Sequence, residues 1–95
     1  MRKGYLVAHI RVHDPEKIQE FRTLAMPAIA KYGGTVLVTN PAPEVKEGDE
    51  SGIAVVIEFQ DMDAARAFYH SDDYSAARAV RETGAVTDLI LVEGM

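Results

Sequence analysis

The sequence contains no cysteine and has little positive charge. Without cysteine, the chain cannot form disulfides, thiolate nucleophiles or cysteine metal sites. The chain has ten lysines and arginines and 15 acidic residues, and no run of basic residues is longer than Arg2-Lys3. Binding to nucleic-acid phosphates needs clustered positive charge, which this chain does not provide. No stretch approaches the roughly 20 apolar residues that span a bilayer. We therefore expect neither a nucleic acid nor a membrane as a partner.

Sequence motifs for cofactor or metal chemistry are also missing. There is no glycine-rich phosphate loop, and neither Ser51 nor Ser71 has the context of an activated nucleophile. His9 and His13 are four residues apart, but in a strand that spacing spans about 13 Å, too far for two ligands of one ion. We expect no cofactor and no metal. The N-terminus runs straight into a strand-like segment instead of an apolar signal region, which favours a cytoplasmic location.

The composition that remains is that of a globular protein of 95 residues, with 47% hydrophobic and 26% charged residues. This length predicts one domain over residues 1–95. A chain this short buries only about 60–65% of its unfolded surface, so a second chain could usefully cover apolar area.

Alternating apolar residues predict strands at residues 5–12, 35–39, 53–59 and 87–93. In the first strand, Leu6, Ala8, Ile10 and Val12 share one face, while the other face carries Tyr5, Val7, His9 and Arg11. The polar segment 40–52 is near the length limit for an unstructured connection, and we expect a long hairpin arm or a mobile flap there.

Capping residues predict where the helices begin and end. Asp14 and Pro15 begin a helix that Gly33-Gly34 ends, and Pro27 should kink it or split it near Met26. Its predicted buried stripe is Ile18, Phe21, Ala25, Ala28, Ile29 and Tyr32.

The second helical region, which contains "FYHSDDYSAARAVR" at residues 68–81, is interrupted by capping residues. Asp61 is the predicted N-cap of its first part. Ser71 is a good N-cap for a second part that runs to Gly84, with Asp72 and Asp73 at its positive end. The sequence therefore predicts a second helix broken in two at His70.

The predicted order is strand, helix, strand, strand, broken helix, strand, which is the βαββαβ pattern of an α+β ferredoxin-like domain with a four-stranded antiparallel sheet. Helices cover one face of such a sheet, yet both faces of these strands carry apolar residues. We expect a second copy to cover the other face, giving a homodimer through the sheet faces.

The chain resembles the domain-of-unknown-function family 1330, within the dimeric α/β-barrel group. The matching stretches are "KGYLVAHIRVHDPEK", "KYGGTVLV", "VVIEFQDMDAARAFYHSDDYSAARAVR" and "LILVEG". The resemblance implies a ferredoxin-like protomer whose sheet packs on its twin to form a barrel, and it implies no activity. Related families include cofactor-independent monooxygenases, isomerases, chlorite dismutase-like enzymes and stress-responsive dimers, so the fold alone does not choose among them.

Two residues are candidates for acid–base catalysis. His9 points away from the all-apolar face, and a histidine inside a barrel could act as an acid or a base. Alternatively, it is a hydrogen-bonded residue of the dimer contact. Glu58 ends an apolar run, and a buried carboxylate with a raised pKa could act as a base. Pairing of Glu58 with an arginine such as Arg11 is the alternative.

Four residues near the helix break are candidates for ligand binding. Tyr74, Arg78 and Arg81 follow helical spacing on one face, and Tyr69 lies just before the break. Two guanidiniums and two phenols at one pocket mouth suit a small carboxylate or phenolic ligand. Alternatively, this is a solvated face on which Arg78 pairs with Glu82.

Two classes of function remain open. The first is a dimeric protein that binds or converts a small organic acid or aromatic compound without a cofactor. The second is a non-catalytic dimeric structural or stress-related module. A deep pocket joining His9 or Glu58 to Tyr74 and Arg81 would favour the first class. An apolar dimer core with those polar groups paired among themselves would favour the second.

Overall fold

The computed structural model describes residues 2–48 and 52–95, which form four strands and three helices. In chain order the elements are β1 (Gly4–Val12), α1 (Pro15–Lys31), β2 (Thr35–Asn40), β3 (Ile53–Phe59), α2 (Met62–Tyr69), α3 (Asp72–Glu82) and β4 (Ala85–Glu93). The strands form one antiparallel sheet in the order β2-β3-β1-β4. This is the ferredoxin-like arrangement, so the predicted α+β class and four-stranded antiparallel sheet are confirmed. None of these three helices is long and apolar enough to cross a membrane.

Alternation along the strands gives the sheet a covered face and an open face. The helices bury the covered face, where Leu6 and Ala8 of β1 lie opposite Ile57 and Val55 of β3. The open face consists of the residues between them: Tyr5, Val7, His9 and Arg11 on β1, Ala54, Val56 and Glu58 on β3, and Val86, Asp88, Ile90 and Val92 on β4. Its centre is apolar, and Ile90 remains 57% exposed.

Helix α1 begins and ends at the predicted caps. The Asp14 carboxylate accepts a hydrogen bond from the Glu16 amide at 3.2 Å. At the other end, Gly33 adopts φ +74, a left-handed conformation that favours glycine. The amides of Gly33 and Gly34 then donate to the carbonyls of Ala30 and Ile29, at 3.1 and 2.9 Å. This is a Schellman motif, which satisfies carbonyls at the helix end.

The prediction that Pro27 splits this helix is wrong, because α1 continues without interruption from Pro15 to Lys31. Proline has no N–H, so the Thr23 carbonyl loses its helical partner. Both Pro27 and Thr23 are exposed. Water can therefore hydrogen-bond that carbonyl, and the helix tolerates the proline on its solvent side.

The connection between α2 and α3 contains only His70 and Ser71. The Ser71 hydroxyl accepts a hydrogen bond from the Tyr74 amide at 3.1 Å and donates to the Phe68 carbonyl at 2.7 Å. Ser71 thus caps the start of α3 and also bonds to the last turn of α2. The predicted N-cap role of Ser71 is confirmed.

The segment between β2 and β3 contains no strand over residues 41–48, so the hairpin-arm alternative is wrong for this part. The expectation for residues 49–51, including Ser51, lies outside the described residues. The flap alternative for residues 41–48 stays a prediction.

We expect Ser71→Ala to lower the free energy of unfolding by about 1 kcal/mol, because it removes an N-cap. Urea denaturation measures the change. Ser75→Ala is the matched control, since Ser75 lies in α3 and its side chain makes no hydrogen bond to the described residues. Equal unfolding energies for the two variants would contradict the capping role.

Candidate functional site

A cavity of about 370 Å³ lies between the covered face of the sheet and the helices α1 and α3. All four strands contribute to its walls. Of the described residues that line it, all are apolar except four, which are Arg22, Thr39, Tyr74 and Arg81. Small-molecule sites in proteins are typically apolar cavities of about this size or larger, with a few polar groups that orient the ligand.

The backbone of α1 approaches α3 more closely than it approaches the sheet, although its buried side chains, such as Ile18 and Ile29, still pack in the core with strand residues. The Phe21 ring of α1 meets the Tyr74 ring of α3 edge-on, with centroids 6.3 Å apart. Lys31, at the end of α1, forms an ion pair with Asp73 of α3 at 3.0 Å. These contacts fix α1 alongside α3, and the space beneath α1 remains open.

Arg81 is a buried cation in the cavity wall, only 5% exposed. Its Nη1 donates to the Tyr74 hydroxyl at 2.5 Å, and its guanidinium carbon lies 5.5 Å from the centre of the Phe21 ring. No carboxylate of the described residues forms an ion pair with it. Its Nε is buried, and residues 2–48 and 52–95 offer it no hydrogen-bond acceptor.

This arrangement leaves donors without acceptors. Arginine stays charged in proteins, and a buried charge without a partner costs several kcal/mol. Arg81 gains some stabilisation from the Phe21 ring and from the negative end of α3, because it lies in the last helical turn. The Tyr74 hydroxyl accepts the Arg81 bond, but its own hydrogen has no acceptor among the described residues. An oxyanion such as a carboxylate is the natural complement of this pair.

The Tyr74 hydroxyl is suited to donate a hydrogen bond and not to act as a base. Burial raises the pKa of Tyr74 above its usual value, although the nearby Arg81 charge and hydrogen bond lower it. The phenol is therefore protonated at neutral pH.

Tyr69 and Arg78 form a second pair, which does not line the cavity. Arg78 Nη1 donates to the Tyr69 hydroxyl at 2.8 Å, and Arg78 Nε lies 3.8 Å from Glu82 Oε1. The Tyr69 and Tyr74 rings are 5.6 Å apart. The four ligand-binding candidates thus lie close together, but only Tyr74 and Arg81 reach the cavity. The contact between Arg78 and Glu82 is the pairing that the sequence indicated as the alternative to ligand binding by Arg78.

The two candidate catalytic residues lie on the open face, and the sheet separates them from the cavity. Glu58 accepts a hydrogen bond from the Tyr5 hydroxyl at 3.0 Å, which raises the pKa of Tyr5. Arg11 pairs with Asp88 at 3.0 Å and not with Glu58. His9 is exposed beside residues 43–47. Neither His9 nor Glu58 is among the described residues that line the cavity with Arg81, and in the protomer neither is placed to act on a ligand there.

Sequence reasoning missed the two polar residues at the other end of the cavity, Arg22 and Thr39. A signal for Arg22 was present, because it lies four residues after Ile18 and three before Ala25, at the edge of the buried stripe of α1. In residues 2–48 and 52–95, no three histidine, aspartate or glutamate side chains come together as metal ligands.

These features define a ferredoxin-like α+β protein with an apolar cavity under its first helix. The chain belongs to the family described as Domain of unknown function (DUF1330), whose model matches residues 3–95. The resemblance noted in the sequence is therefore confirmed. No curated protein matches the chain.

Solved structures share the fold at low sequence identity. A protein of unknown function from Rhodopseudomonas palustris has a TM-score of 0.82 and 13% identity, covering 99% of this chain and 83% of that one. SnoaB, a cofactor-independent oxygenase from Streptomyces nogalater, has a TM-score of 0.67 and 16% identity, covering 97% and 92%. A dimeric ferredoxin-like protein of unknown function from Thermobifida fusca YX has a TM-score of 0.59 and 19% identity, covering 99% and 92%. At these identities the likeness shows the fold alone.

Because the Tyr74 pKa is raised in the folded state, the free energy of unfolding should fall as pH rises above about 10, the pKa of an unfolded tyrosine. The unfolded chain loses this proton first, and the loss favours unfolding until the folded phenol also ionises. Tyr74→Phe should make this alkaline decline shallower. Urea denaturation between pH 9 and 11 measures both slopes, and identical slopes would contradict the assignment.

Proposed function

We propose that this protein binds a small organic acid in the cavity under α1, in the cytoplasm and without a cofactor. The carboxylate lies against Arg81 and Tyr74, and the apolar body of the acid lies against the covered face of the sheet. One observation carries the proposal: a guanidinium in the wall of an apolar cavity is buried and has no carboxylate partner among residues 2–48 and 52–95. A bound carboxylate would neutralise that charge and accept the free donors.

Binding fits the lining of the cavity better than conversion of the ligand does. A cofactor-independent oxygenase shares the fold, so conversion of an aromatic or aliphatic acid is the second candidate. Conversion by proton abstraction needs a base within hydrogen-bond reach of the ligand. Among the described residues that line the cavity, the ionisable ones are Arg22, Tyr74 and Arg81, and the Tyr74 pKa is raised. None of these three supplies a base at neutral pH.

We also propose that two copies pack open face against open face to form a dimeric α/β barrel. The exposed apolar residues of that face support the proposal. Val38 of β2, which lies opposite Val56, and Ile90 and Val92 of β4 are 38–57% exposed in the protomer. Contiguous exposed apolar surface of this kind marks an interaction site. A protein of similar fold from Thermobifida fusca YX is dimeric. Without ligand binding, such a dimer is the non-catalytic module that the sequence left as the alternative.

We expect octanoate or 3-phenylpropionate to raise the melting temperature of the wild type by several degrees. A ligand at 100 times its Kd stabilises a protein by about 2.7 kcal/mol. Arg81→Met should abolish the shift, because it removes the buried charge. Thermal melts with and without each acid measure this effect.

Arg78→Met is the matched control, since Arg78 lies one helical turn from Arg81 but outside the cavity lining. The Arg78→Met variant should still show the rise in melting temperature with each acid. Octanamide, which has the shape of octanoate without its charge, should produce little shift in the wild type. If Arg81→Met shifts as much as the wild type, the proposed ligand site is wrong.

Ile90→Asp should convert the dimer into a monomer, because it places a charge among the exposed apolar residues of the open face. Sedimentation at micromolar concentration distinguishes the 10.4 kDa monomer from the dimer. Leu24→Asp is the control, since Leu24 is also exposed but belongs to α1, away from the open face. A wild type that sediments as a monomer would refute the dimer.

A further inference from the structure

The polar residues of the cavity lie at two ends. Tyr74 and Arg81 project from α3 and are buried, whereas Arg22 of α1 and Thr39 of β2 are exposed. β2 is an edge strand of the sheet, and α3 packs beside β4 at the opposite edge. The cavity is therefore closed at the Arg81 end and opens to solvent between α1 and β2. A ligand bound at Arg81 directs its far end toward Arg22 and Thr39.

The sheet sets the distance between the two ends. In the order β2-β3-β1-β4, β2 lies two strand positions from β1 and three from β4. Neighbouring strands are about 4.8 Å apart, so a ligand that reaches from one end to the other spans roughly 10–14 Å. Between the two ends, β1 and β3 contribute only apolar residues to the cavity wall. These residues are Leu6, Ala8, Ile10, Ile53, Val55 and Ile57.

Arg22 has no partner of its own within the described part of the chain. It forms neither an ion pair nor a hydrogen bond there, and the Thr39 hydroxyl likewise makes no hydrogen bond. The exposed Arg66 of α2, by contrast, pairs with Asp63 at 3.2 Å. The mouth of the cavity thus presents a second guanidinium whose donors are available to a ligand.

We infer that the cavity selects elongated acids with a carboxylate at both ends. The first carboxylate binds Arg81 and Tyr74, an apolar body crosses β1 and β3, and the second carboxylate meets Arg22 and Thr39 at the mouth. This inference rests on the proposed ligand site and adds the class of ligand. A body of roughly six methylene groups, with its two carboxylates, matches the lower part of the 10–14 Å span.

The two ends contribute unequally. Arg81 is desolvated, so its pairing with a carboxylate is strong. Arg22 is exposed, so its pairing is screened by water and salt. Removing Arg22 should therefore reduce the affinity for a diacid by only about fivefold, the upper end of what an exposed ion pair contributes.

The experiment measures the Kd of octanoate and of octanedioate by calorimetry for the wild type, Arg22→Met and Arg66→Met. Both substitutions remove one exposed positive charge, but only Arg22 lines the cavity. In Arg22→Met, the affinity for octanedioate should fall about fivefold while that for octanoate changes less than twofold. Arg66→Met should leave the ratio of the two affinities unchanged.

Two outcomes would overturn the inference. If Arg22→Met lowers the affinity for both acids equally, or changes the affinity for neither, Arg22 does not bind the second carboxylate. The proposed site at Arg81 would still stand. If neither acid binds the wild type, the proposed ligand site fails, and the inference fails with it. Because Arg22 is exposed, Arg22→Met should fold, and circular dichroism checks this in every variant.

Discussion

A buried guanidinium that pairs with no carboxylate in the described part of the chain is the constraint around which the helical layer is arranged. Arg81 cannot lose its charge, so its surroundings must stabilise it. The Tyr74 hydroxyl, the Phe21 ring and the last turn of α3 together do so in part. Phe21 belongs to α1, which therefore stays beside α3. With α1 held there, the sheet beneath it is not fully covered, and the cavity results.

The turn at Ser71 determines where that guanidinium lies. α2 packs on β1, β3 and β4, while α3 packs chiefly on α1, so the chain must change direction between the two helices. A serine that caps α3 and bonds the last turn of α2 makes this change within two residues. Tyr74 then faces inward, and Arg81, seven residues later, lies on the same face of α3. A continuous helix would carry both residues away from α1.

Features encoded by neighbouring residues were predictable from the sequence. The caps at Asp14 and Ser71, the Gly33 terminus and the strand positions follow from local periodicity and side-chain chemistry, and the observed strands agree within two residues. The buried stripe of α1 is equally local. Features that depend on distant pairing were not predictable. The hydrogen bond between Tyr5 and Glu58 depends on the register of β1 with β3. The tolerance of Pro27 depends on which side of α1 faces solvent.

The residues of the candidate site were also only partly predictable from the sequence. Helical spacing predicted that Tyr74 and Arg81 share one face of the helix, because residues seven apart are separated by about two turns. Spacing alone could not show that Tyr69 and Arg78 lie outside the cavity wall, since this depends on how α3 meets α1. Alternation correctly put His9 on the face opposite Leu6 and Ala8. Nothing local indicated that the cavity would form on the other side of the sheet.

The sheet acts as a wall between two surfaces with different chemistry. On its open face, apolar residues lie between the Tyr5–Glu58 and Arg11–Asp88 pairs, which suits contact with a second copy. On its covered face, an apolar cavity has the buried cation Arg81 in its wall. The chain carries a net charge of -5, so its long-range field repels anions. That repulsion is largely screened beyond about 10 Å at 0.1 M salt. Under the proposed function, affinity for an acid must therefore come from the desolvated donors of Arg81 and Tyr74 at short range.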